Sequence, residues 1–241
     1  MGNTNIIKRK GRILDNQEFE NILIIMAHPD DAELGAGGSI AKWISEGSTV
    51  RTIICTNGDK GTKEDYSTHQ IAEKRENEQL KASEILGIKE TLFLRNRDGE
   101  LEDSRAFRNQ IAFLIRHFQP DTIVTHDPWR PHYQHPDHQA VGHATFKGLI
   151  YARDHHFLPE LTYAGIKAHH TNNILYTGSP EPNFFVDISE TIETKIESIK
   201  CHVSQIGEQY NAKERHSKRA EENGTKGGYK LAEAFTIKTM S

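Results

Sequence analysis

The stretch NILIIMAHPDDAELGAGG, residues 21–38, decides the fold of this chain. It begins with an apolar run of strand length, which ends in a histidine, a proline and two adjacent aspartates. The glycines that follow are able to open a helix near Gly35. A buried strand that leads through polar residues into a helix is typical of a βαβ unit. The stretch therefore predicts an α/β fold and marks His28, Asp30 and Asp31 as candidate site residues.

Further strand-length apolar runs alternate with helical patterns along the chain. The clearest helix covers residues 67–87, where Ser67 or Thr68 is available as the N-cap and Gly87 ends the pattern. A second helix is predicted over residues 104–118. The predicted strands are 21–27, 49–56, 90–94 and 121–126.

The C-terminal third carries weaker patterns. FFVDIS, residues 184–189, predicts another strand, and ETIETKIESIKCHVSQI, residues 190–206, predicts one amphipathic helix. The polar stretch 213–228 is predicted to be a mobile surface loop.

Two polar segments are expected to meet at one edge of the sheet. Strands joined by helices form parallel sheets with right-handed crossovers, and the Rossmann-type order 3-2-1-4 makes strands one and four neighbours. AHPDD follows strand one, and the histidine-rich segment 125–143 follows strand four. We therefore predict a Rossmann-like, mostly parallel sheet with helices on both faces and a site at the C-terminal ends of strands one and four.

Composition limits the possible functions. The 241 residues fit a single domain over residues 21–241, preceded by an N-terminal extension, residues 1–20. Thirty Lys and Arg against thirty-four Asp and Glu give a formal charge of −4 without a basic cluster, so no nucleic-acid partner is expected. The apolar runs are too short to span a membrane, and the first residues lack the apolar core of a signal peptide. A soluble cytoplasmic protein is expected.

The two cysteines exclude a disulfide framework or a cysteine-rich zinc site, and we expect both Cys55 and Cys201 to be core thiols. Histidine is unusually frequent, with fourteen residues. Several of them crowd into the segment 125–143, whereas the pairs at 155–156 and 169–170 are expected to be ordinary surface or hydrogen-bonded residues.

Three interpretations of AHPDDAELGAGG compete. A phosphate-binding glycine loop needs the pattern G-x-G-x-x-G, but position 40 is Ile, and the carboxylates of Asp30, Asp31 and Glu33 would repel a phosphate. Helix capping requires only one carboxylate and leaves His28 unexplained. The third interpretation is a metal site.

The metal interpretation groups His28 and Asp31 with a histidine of HPDH, His138. Two imidazoles and one carboxylate leave a coordination position for water, which is typical of a catalytic zinc site. A base must still accept the proton of that water, and Asp30 is the candidate. His135, with Asp137 nearby, is expected to stabilise the developing oxyanion or to protonate the leaving amine.

HPDDAELGAGG together with HPDH closely resembles the signature pair of the LmbE/PIG-L family of metal-dependent N-acetylglucosamine deacetylases. Further segments resemble the family in the same order, whereas the first twenty residues have no evident counterpart. The common AHPDDE pattern of the family reads HPDDAE here, with Ala32 directly after Asp31. The other segments are NGDKGT (57–62), RENEQLKASEILGI (75–88), DPWRPHYQHPDH (127–138) and PNFFVDISETIETKIESIKCHVSQ (182–205).

The resemblance implies a role for each matching position. It implies zinc at His28, Asp31 and His138, Asp30 as general base, and His135 assisted by Asp137. The oxygen and imidazole ligands also suit Fe²⁺ or Co²⁺. Arg75 matches an arginine that contacts substrate in several members, and Tyr133 occupies the position of an oxyanion-stabilising tyrosine in some. Family members are often trimers or hexamers, so a homo-oligomer is expected.

The implied reaction is removal of an N-acetyl group from an N-acetylglucosamine-type sugar or conjugate by metal-activated water. Chitobiose-like oligosaccharides, a GlcNAc-malate thiol precursor, and a glycolipid or antibiotic sugar are candidate substrates. Two alternatives stay open: a non-heme Fe(II) oxygenase with a two-His-one-carboxylate site, and a non-catalytic metal-binding protein. The H-x-x-D spacing on a strand-to-helix loop disfavours the first, and the presence of Asp30 disfavours the second.

Overall fold

One mixed sheet of seven strands organises the part of the chain that is described. The computed structural model describes residues 19–62, 64–132, 135–206 and 210–240. The order of strands across the sheet is β3-β2-β1-β4-β5-β7-β6. The strands are β1 (Asn21–Met26), β2 (Thr49–Thr56), β3 (Glu90–Asn96), β4 (Thr122–His126), β5 (Asn173–Thr177), β6 (Phe184–Asp187) and β7 (Ala232–Thr239).

Helices connect the strands and cover both faces of the sheet. Helices α3 and α4 pack on one face with the odd-numbered side chains of β1, and α1, α6 and α8 pack on the other. The helices are α1 (Asp31–Ser45), α2 (Thr68–Leu86), α3 (Arg105–Phe118), α4 (Pro136–Arg153), α5 (Pro159–Tyr163), α6 (Ile192–Lys200), α7 (Val203–Ile206) and α8 (Ala212–Gly227).

The strand order 3-2-1-4 predicted from the sequence is confirmed, and the strands from β3 to β5 pair in parallel. β7 runs antiparallel between β5 and β6. The predicted fold class, a mostly parallel α/β sheet with helices on both faces, is therefore correct, and the antiparallel edge extends it.

Strand β1 divides the core into two layers. Ile22, Ile24 and Met26 belong to one hydrophobic cluster, and Leu23 and Ile25 belong to the other. All five are buried because neighbouring strands and helices cover β1 on every side. Such a strand reads as a continuous apolar run rather than an alternating one, as the sequence does here.

Two helices have the caps expected from the sequence. Ser67 accepts a hydrogen bond from the Gln70 backbone N–H in a capping box, and Gly87 ends α2 with a φ of 79°. Ser104 caps α3 by accepting from the Phe107 N–H.

The segment predicted to be a mobile loop at 213–228 is instead helix α8. Its buried residues are spaced by four and are mostly small: Ala212, His216, Ala220 and Gly224. Because this stripe lacks large apolar side chains, the hydrophobic pattern that predicts helices is absent from the sequence.

The helix expected near Gly35 begins earlier, at Asp31, so the glycines lie inside α1. A Cβ on Gly38 would lie 2.9 Å from side-chain atoms of Ile188, so a glycine permits this close packing. The buried ion pair of Lys195 and Glu233 lies beside α1. Glu233 accepts hydrogen bonds from the backbone N–H groups of Gly38 and Ser39, and Lys195 donates to Glu233 and to the Leu34 carbonyl.

The helix expected over residues 190–206 is interrupted between α6 and α7. His202 lies at the interruption and is buried, with its Nε2 atom 3.2 Å from Glu33 Oε2. Cys201 beside it is only half-buried, so the expectation of a core thiol is correct for Cys55 and wrong for Cys201.

The predicted N-terminal extension, residues 1–20, lies outside the described residues up to residue 18. Phe19 is 4% exposed and stacks on the Trp43 ring, so the packed domain includes it. Along the described stretches of chain, the helices are too short or too polar for a membrane crossing.

Candidate metal centre

Parallel pairing of β1 with β4 brings two chain segments together at one edge of the sheet. Ile25 pairs with Thr125, so His28 follows β1 close to the end of β4. Helix α1 then begins at Asp31. Helix α4 begins at Pro136, so His138 lies in its first turn. The approach of α4 to β4 is tight at Gly142, where a Cβ would lie 2.6 Å from the carbonyl oxygen of His126.

The three predicted ligands converge on one another. His28 Nδ1 lies 3.1 Å from His138 Nε2 and 3.3 Å from Asp31 Oδ2. His138 Nε2 lies 3.3 Å from Asp31 Oδ1. Ligand atoms around a tetrahedral zinc ion with bonds of 2.0–2.1 Å lie roughly 3.3–3.4 Å apart. The donor set therefore fits such an ion in both chemistry and spacing.

The other ring nitrogen of His28 is held by carboxylates. His28 Nε2 lies 3.0 Å from Asp137 Oδ2 and 3.1 Å from Asp98 Oδ1. Asp137 is itself fixed, because its oxygens accept from the backbone N–H groups of Gly99 and Leu101. A carboxylate behind a histidine orients the ring and raises its basicity as a ligand. Asp137 thus contacts His28. From the sequence we expected it to contact His135.

The charges at this edge favour a cation. Burial lowers the pKa of His28, but hydrogen bonds to Asp137, Asp31 and Asp98 raise it to about 12. Burial raises the pKa of Asp31, but the adjacent His138 and His126 hold it well below its usual range. Several buried carboxylates share few positive partners here, and a divalent ion would balance them.

His126, the last residue of β4, belongs to this cluster and was not singled out from the sequence. Its Nε2 accepts a hydrogen bond from the Ala27 N–H at 3.1 Å and lies 3.3 Å from Asp31 Oδ2. Burial lowers the pKa of His126 to about 4, so the ring is neutral near pH 7. Because the lone pair of Nε2 is used by Ala27, we favour His28 over His126 as the second imidazole ligand.

Asp30 lies beside the donor set in an unusual conformation. Its φ of 106° lies in the left-handed region, which is rare for residues other than glycine and which clusters at functional sites. Burial and the charge of Asp31 raise the pKa of Asp30 to about 6, although Arg75 lowers it. A carboxylate with such a pKa can accept and return a proton near neutral pH.

Arg75 is buried in helix α2 and contacts the protein itself. Its Nη2 donates to the Pro29 carbonyl at 2.7 Å and lies 3.4 Å from Asp30 Oδ2, and its Nη1 donates to the Gly58 carbonyl at 3.1 Å. Arg75 is therefore not a solvated arginine on the helix surface. Contact with substrate, which the sequence resemblance implies for Arg75, stays a prediction.

His135 lies at the start of α4, where its ring centroid is 4.5 Å from that of His28 and 4.8 Å from that of His138. Within the described residues, the buried Nδ1 of His135 has no hydrogen-bond partner. Burial and the nearby His28 lower the pKa of His135. Tyr133, the predicted oxyanion residue, lies outside the described residues.

Other groups of metal-binding side chains occur in the described parts of the chain. Three of them overlap the centre through His28 or His138, and add His135, His126 or Asp98 to it. A separate group, Asp154 with His155 and His156, lies on the loop after α4, where both imidazoles are exposed.

Comparisons with known proteins show the family of this chain. The family profile described as PIG-L, GlcNAc-PI de-N-acetylase, matches residues 23–148. The diacetylchitobiose deacetylase of Thermococcus kodakarensis is 33% identical over 192 residues, which are 79% of this chain and 72% of that protein.

Solved structures resemble the fold over almost the whole chain. The N,N'-diacetylchitobiose deacetylase of Pyrococcus horikoshii, solved with an inhibitor, has a TM-score of 0.87 and 28% identity, over 99% of this chain and 94% of that one. The 4-carboxy-2-hydroxymuconate hydratase GalB of Pseudomonas putida has a TM-score of 0.76 at 20% identity, over 92% and 96% of the two chains. The second likeness shows the fold alone.

Proposed function

Because the chain belongs to the PIG-L family, we propose that it is a zinc-dependent hydrolase that removes the N-acetyl group from an N-acetylglucosamine-type sugar or conjugate. The observation that carries the proposal is the donor set of His28, Asp31 and His138, whose atoms lie 3.1–3.3 Å apart directly beside Asp30. The named activities of the Thermococcus and Pyrococcus relatives support the substrate class.

In this proposal His28, Asp31 and His138 hold one ion, and Asp137 orients His28. The ion supplies Lewis acidity, which lowers the pKa of a water molecule and polarises the acetyl carbonyl of the substrate. An iron or cobalt ion suits the same oxygen and imidazole ligands.

Asp30 acts as the general base. It accepts a proton from the attacking water and returns it to the leaving amine as the amide C–N bond breaks. This shuttle requires a carboxylate that is close to the ion but not bound to it, and the neighbouring Asp31 is the better placed of the two as ligand.

His135 faces the same centre from the start of α4, and we assign to it the stabilisation of the developing oxyanion. Asp98, whose Oδ1 contacts His28 Nε2, adds a carboxylate to this edge that the sequence did not reveal. Zinc as the native ion, the roles of Arg75 and Tyr133 toward substrate, and assembly as a trimer or hexamer stay predictions.

The test is acetate release by the full chain after zinc loading. The substrates are N-acetylglucosamine, N,N'-diacetylchitobiose and an N-acetylglucosaminyl inositol, with the metal content measured on the same sample. We expect acetate and free amine in equal amounts from at least one of them, with or without oxygen. Stoichiometric zinc without acetate from the whole panel would favour a non-catalytic metal-binding protein, and a need for oxygen would favour the oxygenase.

A further inference from the structure

The peptide unit between Pro29 and Asp30 is held at both ends by helix α2. Its carbonyl oxygen, on Pro29, accepts from Arg75 Nη2 at 2.7 Å. Its N–H, on Asp30, donates to Gln79 Oε1 at 3.0 Å. Residues 75 and 79 are spaced by four, so their side chains leave the same face of the helix. One turn of α2 therefore fixes the plane of this single peptide unit.

Fixing that plane sets the direction of the Asp30 side chain. The plane and the φ of Asp30 together determine where its Cβ points, and a φ of 106° is unfavourable for a residue with a Cβ. A conformation of this kind persists only when the surroundings impose it. Arg75 and Gln79 are the side chains that impose it from α2.

Gln79 is in turn held by a buried row of polar groups. Its Nε2 donates to Glu33 Oε1 at 2.8 Å and lies 3.3 Å from Ser83 Oγ. The other oxygen of Glu33 lies 3.2 Å from His202 Nε2. Gln79 and Glu33 are fully buried and His202 is 1% exposed, so water does not compete for these bonds.

The position of Gln79 requires an acceptor toward Asp30 and a donor toward Glu33. An amide of this length supplies both without binding a proton, whereas a glutamate could donate only when protonated. A glutamate here would face the carboxylate of Glu33, and an apolar side chain would leave the Asp30 N–H and a Glu33 oxygen buried without partners, which is costly.

We propose that Gln79, supported by Glu33 and His202, is a positioning residue that holds the Asp30 carboxylate in the orientation needed for proton transfer. The inference deepens the proposed function and rests on it. A misplacement of about 1 Å costs on the order of a hundredfold in rate. Loss of Gln79 should therefore lower kcat and leave KM and zinc content unchanged.

The first experiment compares Gln79→Met with Asn77→Leu, a change to an exposed amide on the same helix. We expect kcat to fall roughly ten- to hundredfold for Gln79→Met, with KM and zinc content as in the wild-type chain. Asn77→Leu should match the wild type. Hydrogen exchange should quicken at the Asp30 amide in Gln79→Met and stay slow in β1.

The second experiment exchanges the two partners. Gln79→Glu alone places two carboxylates against each other and should lose activity. The double variant Q79E/E33Q restores one donor and one acceptor between the positions, and should regain most of the lost kcat. This rescue does not depend on how well Gln79→Met folds, and a role in packing alone does not predict it.

The outcomes separate the two proposals. If the zinc-loaded wild-type chain releases no acetate, the proposed function fails, and the exchange rate of the Asp30 amide still tests whether Gln79 holds it. If the wild type is active and folded Gln79→Met keeps full kcat, the positioning role is wrong. It is also wrong if Q79E/E33Q is as inactive as Q79E.

Discussion

His138 and His143 lie five residues apart on helix α4, but only His138 faces the ligands of the candidate centre. His143 packs against the Trp129 ring. We expect His138→Ala to lose bound zinc and to lower activity on the order of a hundredfold or more, because the ion supplies several kcal/mol of transition-state stabilisation. His143→Ala should keep both. Zinc content by elemental analysis checks this, and full zinc occupancy in His138→Ala would show that His135 or His126 is the ligand instead.

Asp30 and Asp31 are adjacent carboxylates with different predicted roles. We expect Asp30→Asn to retain zinc and to lose about a hundredfold to ten-thousandfold in kcat, the range of general acid–base catalysis. Asp31→Asn should lose zinc first, because Asp31 lies between His28 and His138. Metal titration beside steady-state kinetics measures both effects. An Asp30→Asn chain with full activity would assign the proton transfer to another residue.

Residues with a local motif could be predicted, and residues that depend on distant contacts could not. His28, Asp31 and His138 lie in the short motifs HPDD and HPDH, which can be recognised in the sequence alone. Gln79 contacts Asp30 across 49 positions of sequence, and its neighbourhood RENEQ reads as an ordinary charged helix. The partner of Asp137 also depends on the fold, since His28 lies 109 positions away.

At the scale of the element, helix α8 buries one histidine, His216, that can bind a proton. His216 is buried and accepts or donates a hydrogen bond with the Tyr210 hydroxyl at 2.7 Å. Burial, followed by the charges of Lys195, Arg219 and Arg215, lowers the pKa of His216 to about 4. In the unfolded chain the pKa is near 6.5. Between these values the unfolded chain binds a proton that the folded chain does not.

His216 should therefore destabilise the fold as the pH falls from about 6.5 toward 4, by at most about 1.4 kcal/mol per pH unit. A variant without this ionisation, His216→Gln, should lack that part of the slope, so its deficit against the wild type should shrink at low pH. Urea unfolding at pH 7.5 and pH 5 measures the difference. The exposed His155→Gln is the control, and parallel wild-type and His216→Gln slopes would contradict the assignment.

The sequence analysis did not predict helix α8, strand β7 or strand β5, although β5 is fully buried and parallel to β4. Helix α8 buries mostly small residues, and β7 follows a glycine-rich turn and pairs antiparallel with strands far from it in sequence. Hydrophobic periodicity predicted the first four strands because each is a short apolar run and helices join them. β1 and β4 are buried on both faces, whereas the edge strand β3 is only half-buried. Periodicity does not predict which strands pair antiparallel with β7, because that pairing depends on contacts between distant parts of the sequence.

At the scale of the whole molecule, the aromatic contact between Phe19 and Trp43 ties the start of the described chain to α1. We expect Phe19→Ala to lower the free energy of unfolding by about 3 kcal/mol, as for other buried phenylalanines. Glu20→Ala, at an exposed neighbour, should be near neutral. Urea denaturation measures both variants, and a Phe19→Ala chain as stable as the wild type would contradict the role of Phe19.

The fold by itself does not decide the reaction. A hydratase shares it at a TM-score of 0.76, whereas the deacetylase of Pyrococcus horikoshii shares it at 0.87. The reaction therefore has to be argued from the side chains at the sheet edge and from the family, and this is how the proposed deacetylation is supported.

The ion pair between Lys195 and Glu233 has a consequence for synthesis of the chain. Glu233 lies on β7 and binds backbone N–H groups in the helix that begins with Asp31. A ribosome makes residue 31 long before residue 233. Helix α1, which carries a candidate ligand, therefore lacks the Glu233 acceptor of these N–H groups until β7 has been made. We expect nascent chains arrested before residue 230 to retain no zinc after gel filtration, and chains that extend through residue 241 to retain it. The centre would thus mature only after β7 has been made.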